Sequence, residues 1–364
     1  MGDPTISGLG GRKAEHLELS ASEPVEGAAG PGWADIELVH EALPEVDLEE
    51  VNVSAELLGG RLRAPLVIAA MTGGHDGARD VNAALARAAQ RHGLAIGVGS
   101  QRAALHDPEL AHTYAIVREH APDAFVLGNL GAAQLIQQDS GEPLGLADAR
   151  AAVEMVRADA LAIHLNFLEE SVQPEGDRRT RGIADAIEAL TGELEVPVIA
   201  KETGAGMTRA TASRLRDLGV AALDVGGSGG TNFAIIERMR AERQGDDRGV
   251  RLGRSLAEWG IPTAVSVAGA SGVGLPVIAT GGVRSGLDAA KAFALGATLV
   301  GIARPLLHAA LEGDAALDRW IENFLEELRA VLMLAGCARP ADLRVRPRVI
   351  HGRTRAWLDQ LGYA

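Results

Sequence analysis

The chain has 364 residues, a single cysteine and a formal net charge of −14. Such acidity argues against a non-specific nucleic-acid binder, which needs a cationic surface. The lone Cys337 leaves no internal disulfide and no cysteine-built zinc site, and it suits a reducing cytoplasm.

The first segment, Met1 to Gly11, is polar and glycine-rich with no apolar signal-peptide core, and it is expected to be disordered when free. No apolar run of ~18 residues occurs, so no transmembrane helix is expected. Trp33–Leu43 or the C-terminal helix is a candidate subunit contact. From Ala64 onward, eight runs read as strands: Leu66–Ala70, Ala95–Gly99, Ala124–Leu127, Ala160–His164, Val196–Lys201, Ala222–Val225, Pro276–Thr280 and Thr298–Gly301. They are continuously apolar rather than alternating, as parallel strands covered on both faces are. Between them lie helical patterns such as Val81–His92, Leu146–Arg157, Thr208–Leu218 and Leu287–Leu295. Aromatics make up only 3% of the chain, which leaves the core to Ala, Val, Leu and Ile. Strand-helix alternation repeated in this way predicts an α/β fold, a (β/α)₈ TIM barrel of roughly 250 residues plus decoration. An open doubly wound sheet is the alternative that periodicity does not separate. Residues 1–63 read as an N-terminal extension contributing substrate-binding residues, and residues 64–364 as the barrel with C-terminal helices.

Gly230–Glu258 interrupts the pattern after the sixth strand, and Gln244–Val250 within it reads as a mobile loop. Long βα loops of barrels are often lids. Toward the end, Trp320, Ile321, Phe324, Leu325, Leu328, Val331 and Leu332 share one face of a helix around Asp318–Leu334, with Asp318 as its cap and Gly336 as its stop.

Barrels of this kind carry their active sites at the C-terminal ends of the strands, and polar residues fall there in nearly every run. Gly281-Gly282-Val283-Arg284, followed by a helix near Gly286 and by Ala303-Arg304, offers bare N–H groups and a helix N-terminus to a phosphate. The plainer alternative is a tight turn. Lys201 ends a buried strand and needs a partner: the N1/O2 edge of a flavin, a salt bridge to Glu202 or to a neighbouring strand, or a Schiff base. Arg12-Lys13 with His16 is either a solvated basic pair or, with Arg102, a cationic patch for an anionic substrate. Glu169-Glu170 is either a solvated pair or, following His164 and Asn166, a Mg²⁺ site of the kind that shares the ion with substrate phosphates.

Taken in order, these residues match a known family. Arg12-Lys13 with His16, Ala70–Gly74, Gly99–Arg102, Gly128-Asn129, His164-Leu165-Asn166, Gln173–Asp177, Lys201-Glu202, Gly229–Thr231, Glu237, Trp259–Thr263 and Gly281–Arg284 span nearly the whole length. The chain resembles the type 2, flavin-dependent isopentenyl-diphosphate delta-isomerases. The resemblance implies FMN used in reduced form, NAD(P)H or another reductant, Mg²⁺ on the diphosphate of a small prenyl substrate, and a homotetramer or homo-octamer. By position it implies FMN contacts from Ala70, Met71, Thr72, Ser100, Asn129, Lys201 and Thr231, with Gly282, Val283, Arg284, Ala303 and Arg304 on the phosphate. It implies substrate contacts from Arg12, Lys13, His16, Ser100, Gln101, Arg102 and Glu169, and catalytic roles for His164, Asn166, Glu169 and Glu237. Glu170 is the implied metal ligand. The implied reaction moves the double bond of isopentenyl diphosphate to give dimethylallyl diphosphate, with no net redox change.

The family pattern has Gln-Glu after His-x-Asn-x-x, whereas this chain has Glu169-Glu170. A carboxylate there has three readings: an acid kept protonated by burial and by Glu170, an added metal contact, or a mark of changed or lost activity. An FMN-dependent 2-hydroxyacid oxidase is the competing enzyme class, but it needs a His-Arg pair with no matching segment near Gly229. An IMP-dehydrogenase-like barrel needs a catalytic loop cysteine, and Cys337 lies beyond the eighth strand.

Overall fold

The predicted apolar runs form eight parallel strands in the computed structural model, which describes residues 4–363. They are β1 (Leu66–Ile68), β2 (Ala95–Gly97), β3 (Val126–Gly131), β4 (Ala160–Leu165), β5 (Val198–Glu202), β6 (Ala222–Asp224), β7 (Val277–Thr280) and β8 (Leu299–Ile302). Each pairs with the next, and β8 returns to β1 through Val300↔Leu66, Gly301↔Val67 and Ile302↔Ile68. That closure decides against the open sheet. β3 continues past its predicted end, so Asn129 sits on a strand rather than in a loop.

The barrel is filled by layers of side chains from alternate strands. Val67, Leu127, Ile199 and Ile278 come from odd strands, and Ala95, Ala160, Ala222 and Leu299 from even ones. Setting mostly small residues against branched ones lets a core with few aromatics close. A hairpin of Ala55–Leu57 and Gly60–Leu62 plugs the N-terminal end, where Leu57, Leu62 and Phe125 join the same cluster. Each leucine buried there contributes about 1.5–3 kcal/mol.

Several expectations need correction. The residues from Pro4 onward in the segment read as disordered belong to a helix, α1 (Pro4–Ser22); Met1–Asp3 lie outside the described residues. Docking supplies what the glycine-rich sequence lacks: Leu19 is buried with Val25 and Ile236. The predicted mobile loop is instead a helical pair, α2 (Phe233–Gln244) and α3 (Asp247–Leu256). Asn232 caps α2 through Ile235 N–H, Gly245 turns the chain at φ 71°, and Asp246 caps α3 through Arg248 N–H. Past α4 (Gly286–Ala294), the long C-terminal helix α5 (Asp314–Leu334) begins one turn earlier than expected. Asp318 therefore lies inside it, and its carboxylate takes Arg91 and His92 from the helix Asp76–His92. Trp33 and Ile36 are buried in the main core, so of the proposed contact strip only residues such as Val39 and Leu43 offer large exposed apolar surface. Ile36–Leu38 pairs with Arg348–Ile350, tying the N-terminal extension to the C-terminal region. No helix among the described residues is long and apolar enough to cross a membrane.

Candidate active site

The C-terminal ends of all eight strands open into one large cavity, and α1 covers part of it. Its lining includes Arg12, Lys13, His16, Ala70, Met71, Thr72, Ser100, Arg102, Asn129, His164, Asn166, Glu169, Glu170, Lys201, Thr231, Gly282, Val283, Arg284, Ala303 and Arg304. Two residues read as site groups are absent from it. Gln101 is fully buried: its amide donates to Ala152 O (2.8 Å) and its Oε1 accepts from Asn129 N–H (2.9 Å). These bonds tie the barrel rim together, and the side chain does not line the cavity. Glu237, also fully buried, stands behind His16 and does not reach the cavity.

On one side, three glycine-rich turns converge. A Cβ on Gly230 would lie 2.8 Å from Gly282 N, and Gly282 itself holds φ 72°, so only bare backbone fits. Thr263 donates to Gly281 O (2.7 Å) and fixes that turn. Arg284 and Arg304 flank it, and both pair with Glu26 at 2.5 and 3.2 Å. Arg304 also donates to Ser20 O and Glu23 O, both at 2.8 Å. Thr280 Oγ1 is buried beside this cradle with no partner. Backbone N–H groups, two guanidiniums and an orphan hydroxyl are what the phosphate end of FMN requires.

The floor carries Lys201, whose Nζ lies 3.0 Å from Asp224 Oδ2 on β6. A neighbouring-strand carboxylate, one of the partners the sequence allows this lysine, is thus in place. His164 Nδ1 faces Asn129 Oδ1 at 2.7 Å, while the amide of Asn129 donates to Val98 O. Burial, then the charges of Lys201 and Lys13, push the His164 imidazolium down to about 3, so the ring is neutral near pH 7.

The opposite side is built from charged side chains. Lys13 donates to Ser100 O (2.5 Å) and Tyr114 Oη (2.7 Å). Burial, with Arg12 and Arg102 beside it, lowers its ammonium to about 7. Asn166 donates its amide to Glu169 Oε2 (3.0 Å) and Glu170 Oε1 (3.1 Å), and its own Oδ1 is buried and unpartnered. Burial and then Glu169 raise the Glu170 carboxyl to about 7. Burial also raises Glu169, against the opposing pull of His16. His16 lies 3.9 Å from Glu169 and 2.6 Å from Glu237. Burial pushes Glu237 up, but hydrogen bonds and charge from His16 and Arg240 outweigh it and hold the carboxyl below its usual value. Glu169 and Glu170 line the cavity with carboxylate oxygens of the kind Mg²⁺ takes, and among the described residues His16, Glu169 and Glu237 place ligand atoms within 4.8 Å of one another.

The sequence reading assigned no role to Glu26, Gln134, Asp224 or Ser140, and quoted Asp177 only as part of a matching stretch. Glu26, Gln134, Asp224 and Ser140 meet their partners through long-range packing, whereas Asp177 reaches Glu170 through a local turn.

Comparison with known proteins agrees with this geometry. The family model described as FMN-dependent dehydrogenase matches residues 145–350. The isopentenyl-diphosphate delta-isomerase of Methanoregula boonei is 50% identical over 350 residues, covering 96% of each chain. That of Methanosarcina barkeri is 47% identical over 98% of this chain and 96% of its own. Among solved structures, a mandelate oxidase superposes with a TM-score of 0.62 at 18% identity, covering 95% of this chain and 98% of its own. A Pediococcus acidilactici lactate oxidase gives 0.64 at 16% identity, over 95% and 94%. At that identity the two oxidases show the fold alone. With its FMN-dependent family match and full-length identity of up to 50% to these relatives, the chain belongs to the FMN-dependent isopentenyl-diphosphate delta-isomerase family.

Proposed function

We propose that the protein converts isopentenyl diphosphate to dimethylallyl diphosphate, with reduced FMN and Mg²⁺ as cofactors and NAD(P)H as the reductant. The observation that carries this reading is the presence of two separate anion sites in one cavity of an acidic chain. The glycine cradle with Arg284 and Arg304 suits a cofactor phosphate, and Arg12, Lys13 and Arg102 suit a substrate diphosphate. Ala70, Met71, Thr72, Ser100, Asn129, Lys201 and Thr231 would hold the flavin, Gly282 to Arg284 with Ala303 and Arg304 its phosphate, and Glu170 the metal. When bound, reduced FMN supplies an electron-rich ring against the alkene and Mg²⁺ neutralises diphosphate charge.

The chain's own residues set up the proton movements. The reaction adds a proton at the terminal alkene carbon and removes one two carbons along, so the substrate must be held in one pose. Arg12, Lys13 and Arg102 fix its diphosphate. His164, neutral near pH 7, serves as a hydrogen-bonding group rather than as an imidazolium acid. Burial raises the Glu169 carboxyl, so it binds a proton more tightly than a free carboxyl would, and it faces the cavity with His16 and Glu237 behind it. Residues 1–63 contribute Arg12, Lys13 and His16 as an extension of the barrel, and the protein works as a cytoplasmic homotetramer or homo-octamer.

The test is incubation of the FMN-loaded, reduced protein with isopentenyl diphosphate and Mg²⁺. Dimethylallyl diphosphate formed only with reduced flavin supports the reading. Oxidation of lactate or a similar 2-hydroxy acid instead would overturn it. Light scattering of the holoprotein tests the assembly.

A further inference from the structure

We infer that Asp177 is a positioning residue that fastens the guanidinium of Arg102 and the carboxylate of Glu170 to one buried point, so that the diphosphate and metal subsites are set as a unit. This rests on the reading of Arg102 as a diphosphate contact and Glu170 as a metal ligand.

The local sequence brings Asp177 there. The helical turn Phe167–Val172 carries Glu169 and Glu170, and the chain then doubles back through Gln173–Asp177. Gly176 passes against the backbone of Glu170 so tightly that a Cβ would overlap the Glu170 carbonyl oxygen. Asp177 therefore lands beside the side chain of Glu170, and it is 4% exposed.

Its contacts are with the site. Oδ2 accepts from Arg102 (3.0 Å) and from the Gln134 amide (2.9 Å), and Oδ1 accepts from Ser140 (2.5 Å). Ser140 Oγ in turn accepts from the second terminal nitrogen of Arg102 at 3.1 Å. The backbone N–H of Asp177 donates to Glu170 Oε2 at 2.7 Å, and the Gln134 amide also reaches Glu170 Oε1 at 3.4 Å. Arg102, Gln134 and Glu170 all line the cavity, whereas Asp177 does not.

Two physical consequences follow. An arginine carries about 2 kcal/mol of rotamer entropy, and one already gripped at two of its five N–H donors has less left to lose when an anion binds. The grip also faces a carboxylate out of water, where the pair is poorly screened by salt. Glu170 in turn has Oε2 held by a backbone donor, which fixes the direction in which Oε1 meets a cation.

The test uses FMN-loaded protein, with Mg²⁺-pyrophosphate as the calorimetric probe and the KM and kcat for isopentenyl diphosphate as the kinetic readout. Asp177→Asn keeps the volume and the backbone N–H but removes the charge that holds Arg102. It is expected to weaken Mg²⁺-pyrophosphate and raise KM about 10- to 100-fold, the range seen when an outer-shell partner is lost, with kcat nearly unchanged. Ser140→Ala is expected to give a smaller loss in the same direction, and it carries the test if Asp177→Asn fails to fold. The double variant Arg102→Ala/Asp177→Asn is expected to bind no more weakly than Arg102→Ala alone, because Asp177 acts through Arg102. Additive losses, or a fall in kcat with KM unchanged, overturn the inference. Arg102→Ala without effect on pyrophosphate overturns the diphosphate assignment itself. A loss in Arg102→Ala with Asp177→Asn at wild-type affinity overturns the role of Asp177 alone.

Discussion

The two proposed anion sites of this cavity are built in opposite ways. The cradle after β6, β7 and β8 is made of backbone: Gly230 and Gly282 approach too closely for any side chain, and the donors are N–H groups that do not titrate. The facing site is made of side chains brought from α1 and from the end of β2, and crowding Lys13 with Arg12 and Arg102 in a buried place lowers the lysine to about 7. A backbone cradle restricts which residues can stand there, and its N–H donors keep their form at every pH. A side-chain site tolerates more substitution in its fold, but its charge depends on its neighbours and on protons.

The largest effect that would sharpen this contrast is Gly282→Ala. The added methyl would overlap Gly229 O and force an L-residue to φ 72°. A loss of about 1–3 kcal/mol or more in FMN binding is expected by flavin-fluorescence titration. Wild-type FMN affinity in this variant would break the comparison. Next, Lys13→Met keeps the stem and removes the charge. It is expected to weaken pyrophosphate by about 1.5–3 kcal/mol in calorimetry and leave FMN affinity unchanged. Losing both in equal measure would mean that the two sites are not separate.

Smaller effects follow from the carboxylates. Glu169 has a folded-state carboxyl raised by burial, so the folded chain holds its proton more tightly than the unfolded one. The stability this contributes is fully present at low pH and is lost as pH rises through the folded value. Glu169→Gln removes that dependence, so its Tm should gain on the wild type as pH rises above the ordinary carboxyl range, on the order of 1 °C. A constant Tm difference across that rise would show that Glu169 is not held protonated by its setting. The smallest effect is in the pH dependence of the wild type. Lys13 loses charge as pH rises through about 7, so pyrophosphate affinity should fall between about pH 7 and 9 by less than tenfold, while FMN affinity stays level. Lys13→Met should flatten that slope.

Much of this architecture is legible in the sequence, for a physical reason. A strand buried on both faces must be apolar throughout, so Ala160–Ile163 or Leu299–Ile302 announces itself in a few residues. A backbone phosphate cradle is likewise local, and Gly281-Gly282-Val283-Arg284 carries its own signature. The side-chain site is less so. His16 meets Glu237 across 221 residues and Glu26 meets Arg304 across 278, distances over which no pattern speaks. The helices α2 and α3 were hidden for a different reason. Their arginine- and glycine-rich composition resembles a loop, and only the caps at Asn232 and Asp246 mark them. Gln101 shows that a polar residue at a strand end can turn inward to satisfy the barrel wall as readily as outward to a ligand.

The docking of α1 against the barrel mouth has a consequence for the life of the chain. Arg304, which grips Ser20 O and Glu23 O, follows Ser20 by 284 residues. During synthesis the N-terminal stretch leaves the ribosome first, yet its anchor is among the last parts made. Lys13 meets Ser100 and Tyr114 and His16 meets Glu237 in parts made earlier, so Arg304 is the last of these partners to be made. A chain that stops before Arg304 lacks the guanidinium that holds Ser20 O and Glu23 O, the last fastening of the residues translated first.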